Sequence, residues 1–243
     1  MSSSEGRVSG NERVLWGVLL SGLLYWLFLL TSPEPNRRRG PTPCKKNLHQ
    51  IAIALHNYHD TYHCFPPAYV ADASGRPMHS WRVLILPFLD KDELYTQYRF
   101  DEPWDGPNNR RLTDQTKSVF HCPSDKSGAP TDTSYVVVVG PSTVFPGTEC
   151  TRFDDITDGQ VNTILVVEMA NSGIHWMEPR DLAFEDAIKG VNPKEGPGIS
   201  SGHEGGAQIA KGDATVKFIS NQTPKETLRW LLERNDGHVV PDY

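Results

Sequence analysis

Residues 14–32 are nineteen consecutive uncharged, mostly apolar residues, and no other stretch of the 243-residue chain resembles them. As a helix at about 1.5 Å per residue, such a segment is close to 30 Å long, roughly the thickness of a bilayer core. Leu, Trp, Tyr and Phe surround that helix on every side, so it has no polar face to show to water. The rival reading is a cleaved signal peptide, whose apolar core runs about 7–15 residues and ends in a small-x-small site. Here the run is longer and passes into Leu30-Thr31-Ser32-Pro33-Glu34-Pro35. The expectation is therefore an N-terminal tail over 1–13, one transmembrane helix over 14–32, a Pro- and Arg-rich linker over 33–43, and a soluble domain over 44–243. Arg37, Arg38, Arg39, Lys45 and Lys46 follow the anchor, and read literally they place the domain in the cytoplasm.

About 200 residues remain beyond the linker, enough for one domain with its own core. The net charge of −6 gives a general nucleic-acid role no electrostatic support. The four cysteines include no Cys-x-x-Cys pair, so a zinc ribbon is out, while an oxidising compartment permits two bridges. No repeat is visible at the periods of solenoids or propellers.

Residues 44–62 read as a helix, with Leu48, Ile51, Ala52, Leu55, Tyr58 and Tyr62 on one stripe and Phe65-Pro66-Pro67 ending it. Cys44 and Cys64 then flank a helix about 28 Å apart, beyond the reach of roughly 7 Å that a disulfide allows. They cannot pair with each other. Residues 80–98 carry a second apolar period broken at Pro87, which predicts two short helices or turns. Residues 135–139, 163–168, 207–210 and 215–219 are β-branched or apolar runs bounded by Gly, Asp and Pro, and these read as strands. Thr223-Pro224-Lys225-Glu226 reads as a capping box opening a last helix through Leu228, Leu231 and Leu232. Helices, then strands, then a closing helix predict an α+β fold, a helix packed on an antiparallel β-sheet with a C-terminal helix.

Two clusters are candidates for chemistry. His49, His56, His59 and His63 fall within an arc of roughly 80° on the first helix. His59 and His63 have the i, i+4 spacing of metal ligands, yet no Glu lies between them as in His-Glu-x-x-His. The preferred reading is of boundary histidines whose rings pack on the sheet and bond backbone, with no metal. The second cluster is a polar site of Glu168, His203 and Asp213. Gly212-Asp213 between two β-runs reads more simply as a two-residue hairpin turn with Gly at the positive-φ position. Asp158-Gly159 ahead of Asn162-Thr163 reads as a turn in the same way. No nucleophile elbow, phosphate loop or dinucleotide fingerprint is present, so no cofactor is expected.

The chain carries an ordered series of short motifs. It begins with Cys44-Lys45-Lys46-Asn47-Leu48-His49-Gln50-Ile51, Leu55-His56-Asn57-Tyr58-His59-Asp60, Phe65-Pro66-Pro67, and Ser80-Trp81 with Leu86-Pro87. It continues through Pro103-Trp104-Asp105, Cys122-Pro123-Ser124-Asp125, Ser134-Tyr135, Ile156-Thr157-Asp158-Gly159, Asn162-Thr163-Ile164-Leu165, Glu168, Trp176, and His203 with Asp213. In this order the chain resembles the bacterial family known as domain of unknown function 1559, prepilin-like proteins with a C-terminal His-x9-Asp-Gly signature. The resemblance implies a pseudopilin-like domain held outside the cytoplasmic membrane, with no enzymatic activity. Relatives carry arginines before the Cys44-like position too, so the basic run loses its weight as a sign of a cytoplasmic domain. Two departures stand out. The segment 14–32 holds no acid and no Gly-Phe-Thr-Leu-x-Glu processing site, and Pro33, Pro35, Pro41 and Pro43 interrupt the long helix of relatives. The signature also ends Asp213-Ala214, with the glycine at Gly212. Cys44 and Cys122 lie in matching segments and Cys64 and Cys150 do not, so the resemblance suggests the bridges Cys44–Cys122 and Cys64–Cys150.

The function expected is that of a single-pass, membrane-anchored, pseudopilin-like envelope protein acting by interaction, with its domain extracytoplasmic. Its expected partners are the membrane, through residues 14–32, and an envelope protein or glycan, with no nucleic acid. One alternative is a glycan- or peptide-binding module using Trp81, Trp104 and Trp176. Another is a metal-dependent hydrolase built on the helix histidines or on His203 with Glu168.

Overall fold

Proline needs no N–H partner in the first turn of a helix, and Pro43 opens the longest one here. In the computed structural model, which describes residues 43–115, 119–126, 128–238 and 240, helix α1 runs Pro43–Tyr62. Its buried stripe is Cys44, Leu48, Ile51, Ala52, Ala54 and Leu55. It ends where His63 enters the left-handed region at φ 60°, its N–H donating to His59 O at 2.7 Å; glycine is the commoner residue in such a cap.

Antiparallel β1 (Tyr69–Ala71) and β2 (Pro77–Ser80) follow. Then come three short turns of helix: α2 (Trp81–Leu84), a 3₁₀ segment at Leu86–Leu89 containing Pro87, and α3 (Asp92–Gln97). The main sheet is antiparallel in the order β3 (Tyr135–Val136), β5 (Ile164–Glu168), β7 (Gly206–Lys211), β8 (Val216–Ser220). Every residue of β5 is buried, because both faces of the sheet are covered. Tyr135, Leu165 and Ala210 join the core under α1. Val136, Val167, Ile209 and Ile219 face a second core closed by Leu228, Leu231 and Leu232 of helix α5 (Lys225–Leu232).

Three expectations need correction. The fold class was to include a membrane-spanning helix over 14–32. Those residues lie outside the described ones, and no helix among the described residues is long and apolar enough to cross a membrane. Helix α1 has the length, but Lys45, Lys46, His49, Asn57 and Asp60 interrupt it. Second, residues 135–139 do not form one strand of a wholly antiparallel sheet. They split into β3 and β4 (Val138–Val139), and β4 pairs in parallel with β6 (Leu182–Ala183), just ahead of the short helix α4 (Phe184–Ala187). The break falls at Val137, whose N–H donates to the Asp181 carboxylate at 2.9 Å instead of to a strand carbonyl. Third, no side chain caps α5; Pro224 occupies the cap position, which leaves Thr223 one residue too early.

Asp181 also anchors a charge inside the core. Arg82 and Asp181 pair at 2.5 Å with side chains 0% and 2% exposed. The guanidinium donates further to Tyr135 O and Ser80 Oγ. Asp181 accepts from the Trp81 indole as well.

Candidate functional site: a buried cysteine, glutamate and histidine cluster

Strand β5 ends at Glu168, paired across the sheet with Tyr135, so its side chain falls under the N-terminus of α1. Cys44 sits there, joined by a disulfide to Cys122 with Cα atoms 4.9 Å apart. Tyr135 fastens this corner by donating its hydroxyl to Cys44 O at 3.1 Å. His203 arrives from the loop before β7, where its N–H donates to Ser201 Oγ and Ser201 Oγ donates to Gly206 O. His203 Nε2 lies 3.5 Å from Glu168 Oε1 and 3.8 Å from Cys122 Sγ. One donor atom from each of Cys44, Cys122, Glu168 and His203 lies within 4.8 Å of the others.

The carboxylate is half satisfied. Glu168 Oε2 accepts from Gln208 N at 2.7 Å, while Oε1 is buried and has no hydrogen-bond partner among the described residues. Burial pushes the Glu168 carboxyl up to about 7, the Asp125 carboxylate adding to the rise and the Gln208 N–H opposing it. Asp125, itself buried, accepts from Ser134 Oγ at 3.1 Å and Asn171 N at 3.0 Å. Ser134 Oγ in turn accepts from Cys122 N. The gap lined by Cys122, Asp125, Ser134, Glu168 and Gly202 has no room for a water-sized sphere.

Of the expected polar trio, Glu168 and His203 come together and Asp213 does not. Asp213 lies in the β7–β8 hairpin, where its Oδ1 accepts from Thr215 N and Thr215 Oγ1. The hairpin also differs from the two-residue turn expected. Lys211 N donates to Thr215 O and Ala214 N to Lys211 O, enclosing a three-residue loop. The positive-φ residue is Ala214, at 62°, in the bulge position that such loops normally give to glycine. Gly212 serves close approach instead: a Cβ there would sit 2.7 Å from Gln160 O. Asp158 and Gly159 do form a turn, with Gly159 at φ 92° and Asn162 Nδ2 donating to Asp158 O. The Asp158 carboxylate also accepts from Asp236 N and Gly237 N, tying down the C-terminal segment.

Three of the four helix histidines each commit a ring nitrogen to backbone, and exposed His63 instead ends the helix. His49 Nδ1 meets Ala214 O at 3.0 Å and His56 Nε2 meets Gly212 O at 2.9 Å, while His59 Nε2 accepts from Phe153 N at 3.2 Å. Trp81 and Trp176 are buried with their indoles donating to Asp181 and Thr113 O. Trp104 stacks on His175. Cys64 and Cys150 are free thiols here and not the second bridge suggested, though the two are close enough to hydrogen-bond. Sequence reading had missed the roles of Asp125 and Ser134. Their signal was the segment Cys122-Pro123-Ser124-Asp125 followed by Ser134-Tyr135.

A family model described as a protein of unknown function, DUF1559, matches residues 38–190, well over half of the chain. The chain belongs to the DUF1559 family. Cys44, Cys122 and Glu168 fall inside the match, whereas His203 and Asp213 lie beyond it, so the His-x9-Asp-Gly signature is not part of what is matched. No curated protein and no solved structure matches this DUF1559 chain.

Proposed function

We propose that this DUF1559 protein acts by interaction and not by catalysis, as a domain of the cell envelope exposed on its oxidising side, with a protein or glycan partner. The observation that carries the non-catalytic reading is the burial of Glu168 in its pair with His203. An acid and an imidazole in contact are the material of general acid–base chemistry, but here the carboxylate is only 2% exposed and abuts a disulfide. That burial leaves the carboxylate little room to meet a substrate, and His49, His56 and His59 each spend one ring nitrogen on hairpin or loop backbone. The Cys44–Cys122 bridge supports an extracytoplasmic location, because such bridges persist where thiols are not kept reduced.

Two experiments test the reading. In intact cells with the outer barrier permeabilised, added protease should digest the domain, and non-reducing gels should show a mobility shift on reduction. Protection from protease, with Cys44 and Cys122 open to alkylation, would refute the location. Purified protein should turn over none of a panel of ester, phosphoester and glycoside substrates; turnover lost in Glu168→Gln would refute the non-catalytic reading.

A further inference from the structure

The four side chains around the disulfide are an unusual set to bring together by burial alone. Two sulfurs, one imidazole nitrogen and one carboxylate oxygen are the donor types that zinc takes. The disulfide itself joins the start of α1 to the loop at Cys122, and the end of β5 and the loop before β7 bring Glu168 and His203 to it, so that all four donor atoms lie within 4.8 Å. Bonds of about 2.0–2.3 Å to a tetrahedral zinc place its ligand atoms roughly 3.3–3.8 Å apart. His203 Nε2 already stands 3.5 Å from Glu168 Oε1 and 3.8 Å from Cys122 Sγ. Independently, Glu168 Oε1 is a buried acceptor with no hydrogen-bond partner among the described residues, on a residue only 1% exposed, and its polar neighbour His203 Nε2 stands off at 3.5 Å. Such an atom is costly unless something meets it. Its sister oxygen is held by Gln208 N, which fixes the carboxylate with Oε1 turned to the cluster.

We propose that, whenever Cys44 and Cys122 are thiols, these side chains close around one divalent cation of the zinc class through Cys44 Sγ, Cys122 Sγ, Glu168 Oε1 and His203 Nε2. Each thiol gives its proton to solvent as its sulfur binds, so uptake of one ion releases both thiol protons. Bridge and ion exclude each other, because a disulfide sulfur has no thiolate to offer. With four protein ligands the ion has no open position, which makes the site structural. The inference concerns the thiol form wherever the chain resides, so it stands or falls apart from the proposed location.

The test uses the full chain carrying Cys64→Ser and Cys150→Ser, so that the second thiol pair contributes nothing. After reduction by a phosphine and removal of oxygen, it is titrated with Co²⁺ alone and then with Zn²⁺ against a chromophoric chelator. The expected result is one equivalent of Co²⁺ with thiolate charge-transfer absorption, displaced by Zn²⁺, and no uptake by the oxidised chain. Glu168→Gln and His203→Gln should each weaken Zn²⁺ binding by about tenfold or more, as even outer partners of a metal site do. Uptake that is absent from the reduced chain, or unchanged in both variants, overturns the proposal. Circular dichroism covers the case in which reduction unfolds the chain: refolding at one equivalent of Zn²⁺ supports the site, and failure to refold overturns it.

Discussion

Replacing Asp181 by Asn keeps the shape of the side chain, removes its charge and turns one acceptor oxygen into a donor facing the Arg82 or Trp81 N–H groups. Arg82 stays fully enclosed, at 0% side-chain exposure, with Tyr135 O and Ser80 Oγ still accepting from it. Those partners are neutral, and only the Glu178 charge still favours the cation, so the guanidinium loses its paired counter-ion in the core, a loss of about 3–5 kcal/mol in comparable cases. A domain of this size loses roughly 2–4 °C of melting temperature per kcal/mol, so the drop should be roughly 10–15 °C. Thermal and urea unfolding by circular dichroism give the total. Tryptophan fluorescence reports locally, since the Arg82 guanidinium lies 4.9 Å from the Trp81 ring centre. Arg82→Met combined with Asp181→Asn should recover part of the loss, because the stranded charge is gone. A cost below about 1 kcal/mol for Asp181→Asn, within the range of exposed pairs, would refute the reasoning. So would a double variant no better than the single one.

Four further outcomes are expected. His56→Ala should cost about 1–2 kcal/mol in urea unfolding by stranding Gly212 O. At Ala214, φ 62°, Gly should be within about 0.5 kcal/mol of wild type while the β-branched Val costs about 2 kcal/mol, both read as melting temperatures. His79 has its ring nitrogens engaged by Tyr98 OH and Phe100 O, and burial lowers its pKa below the usual 6.5, the Phe100 carbonyl opposing. The unfolded chain then takes the proton first, so His79's contribution is whole above pH of about 6.5 and is lost as pH falls through its lower folded value; unfolding at a series of pH values should show a shallower acid slope in His79→Gln. Finally, burial and the neighbouring Cys150 push the Cys64 thiol up to about 11, so maleimide labelling of the native oxidised chain, read by mass, should modify exposed Cys150 before Cys64 and leave Cys44 and Cys122 untouched.

Elements governed by local periodicity were legible in the sequence. The stripe of Leu48, Ile51, Ala52 and Leu55 set α1 almost to the residue, and the runs at 163–168, 207–210 and 215–219 became β5, β7 and β8. What local pattern could not show was any feature decided by a partner far along the chain. Residues 135–139 look like one strand until Asp181 takes the Val137 N–H. Nothing local in Ser80-Trp81-Arg82 marks Arg82 for the core, and its burial depends on an aspartate 99 residues away. The candidate site divides along the same line. Glu168 and His203 could be picked out as polar residues at one sheet end, but their meeting with Cys44 and Cys122 required the helix to be seated on the sheet. A hairpin aspartate and a site aspartate look alike in sequence, so Asp213 stood in both readings; its bonds to Thr215 put it in the hairpin, the preferred one, though in a three-residue loop.

The histidines of α1 make sense as devices that fix register. An apolar stripe alone leaves a helix able to settle one turn, about 5.4 Å, along a sheet with similar burial. Hydrogen bonds are directional and fall off within fractions of an ångström, so they can choose between such positions where burial cannot. Helix α1 is held in this way along its whole length. Near its start Asn47 Nδ2 donates to His121 O and Cys44 is bridged to Cys122. Along its middle His49 and His56 meet Ala214 O and Gly212 O of the β7–β8 hairpin. Near its end His59 accepts from Phe153 N, and just beyond it Phe65 N donates to Thr151 O. A one-turn slip would break all of these. The same seating brings Cys44 to Glu168 and His203, so the precision of the cysteine cluster is inherited from histidines that are not part of it.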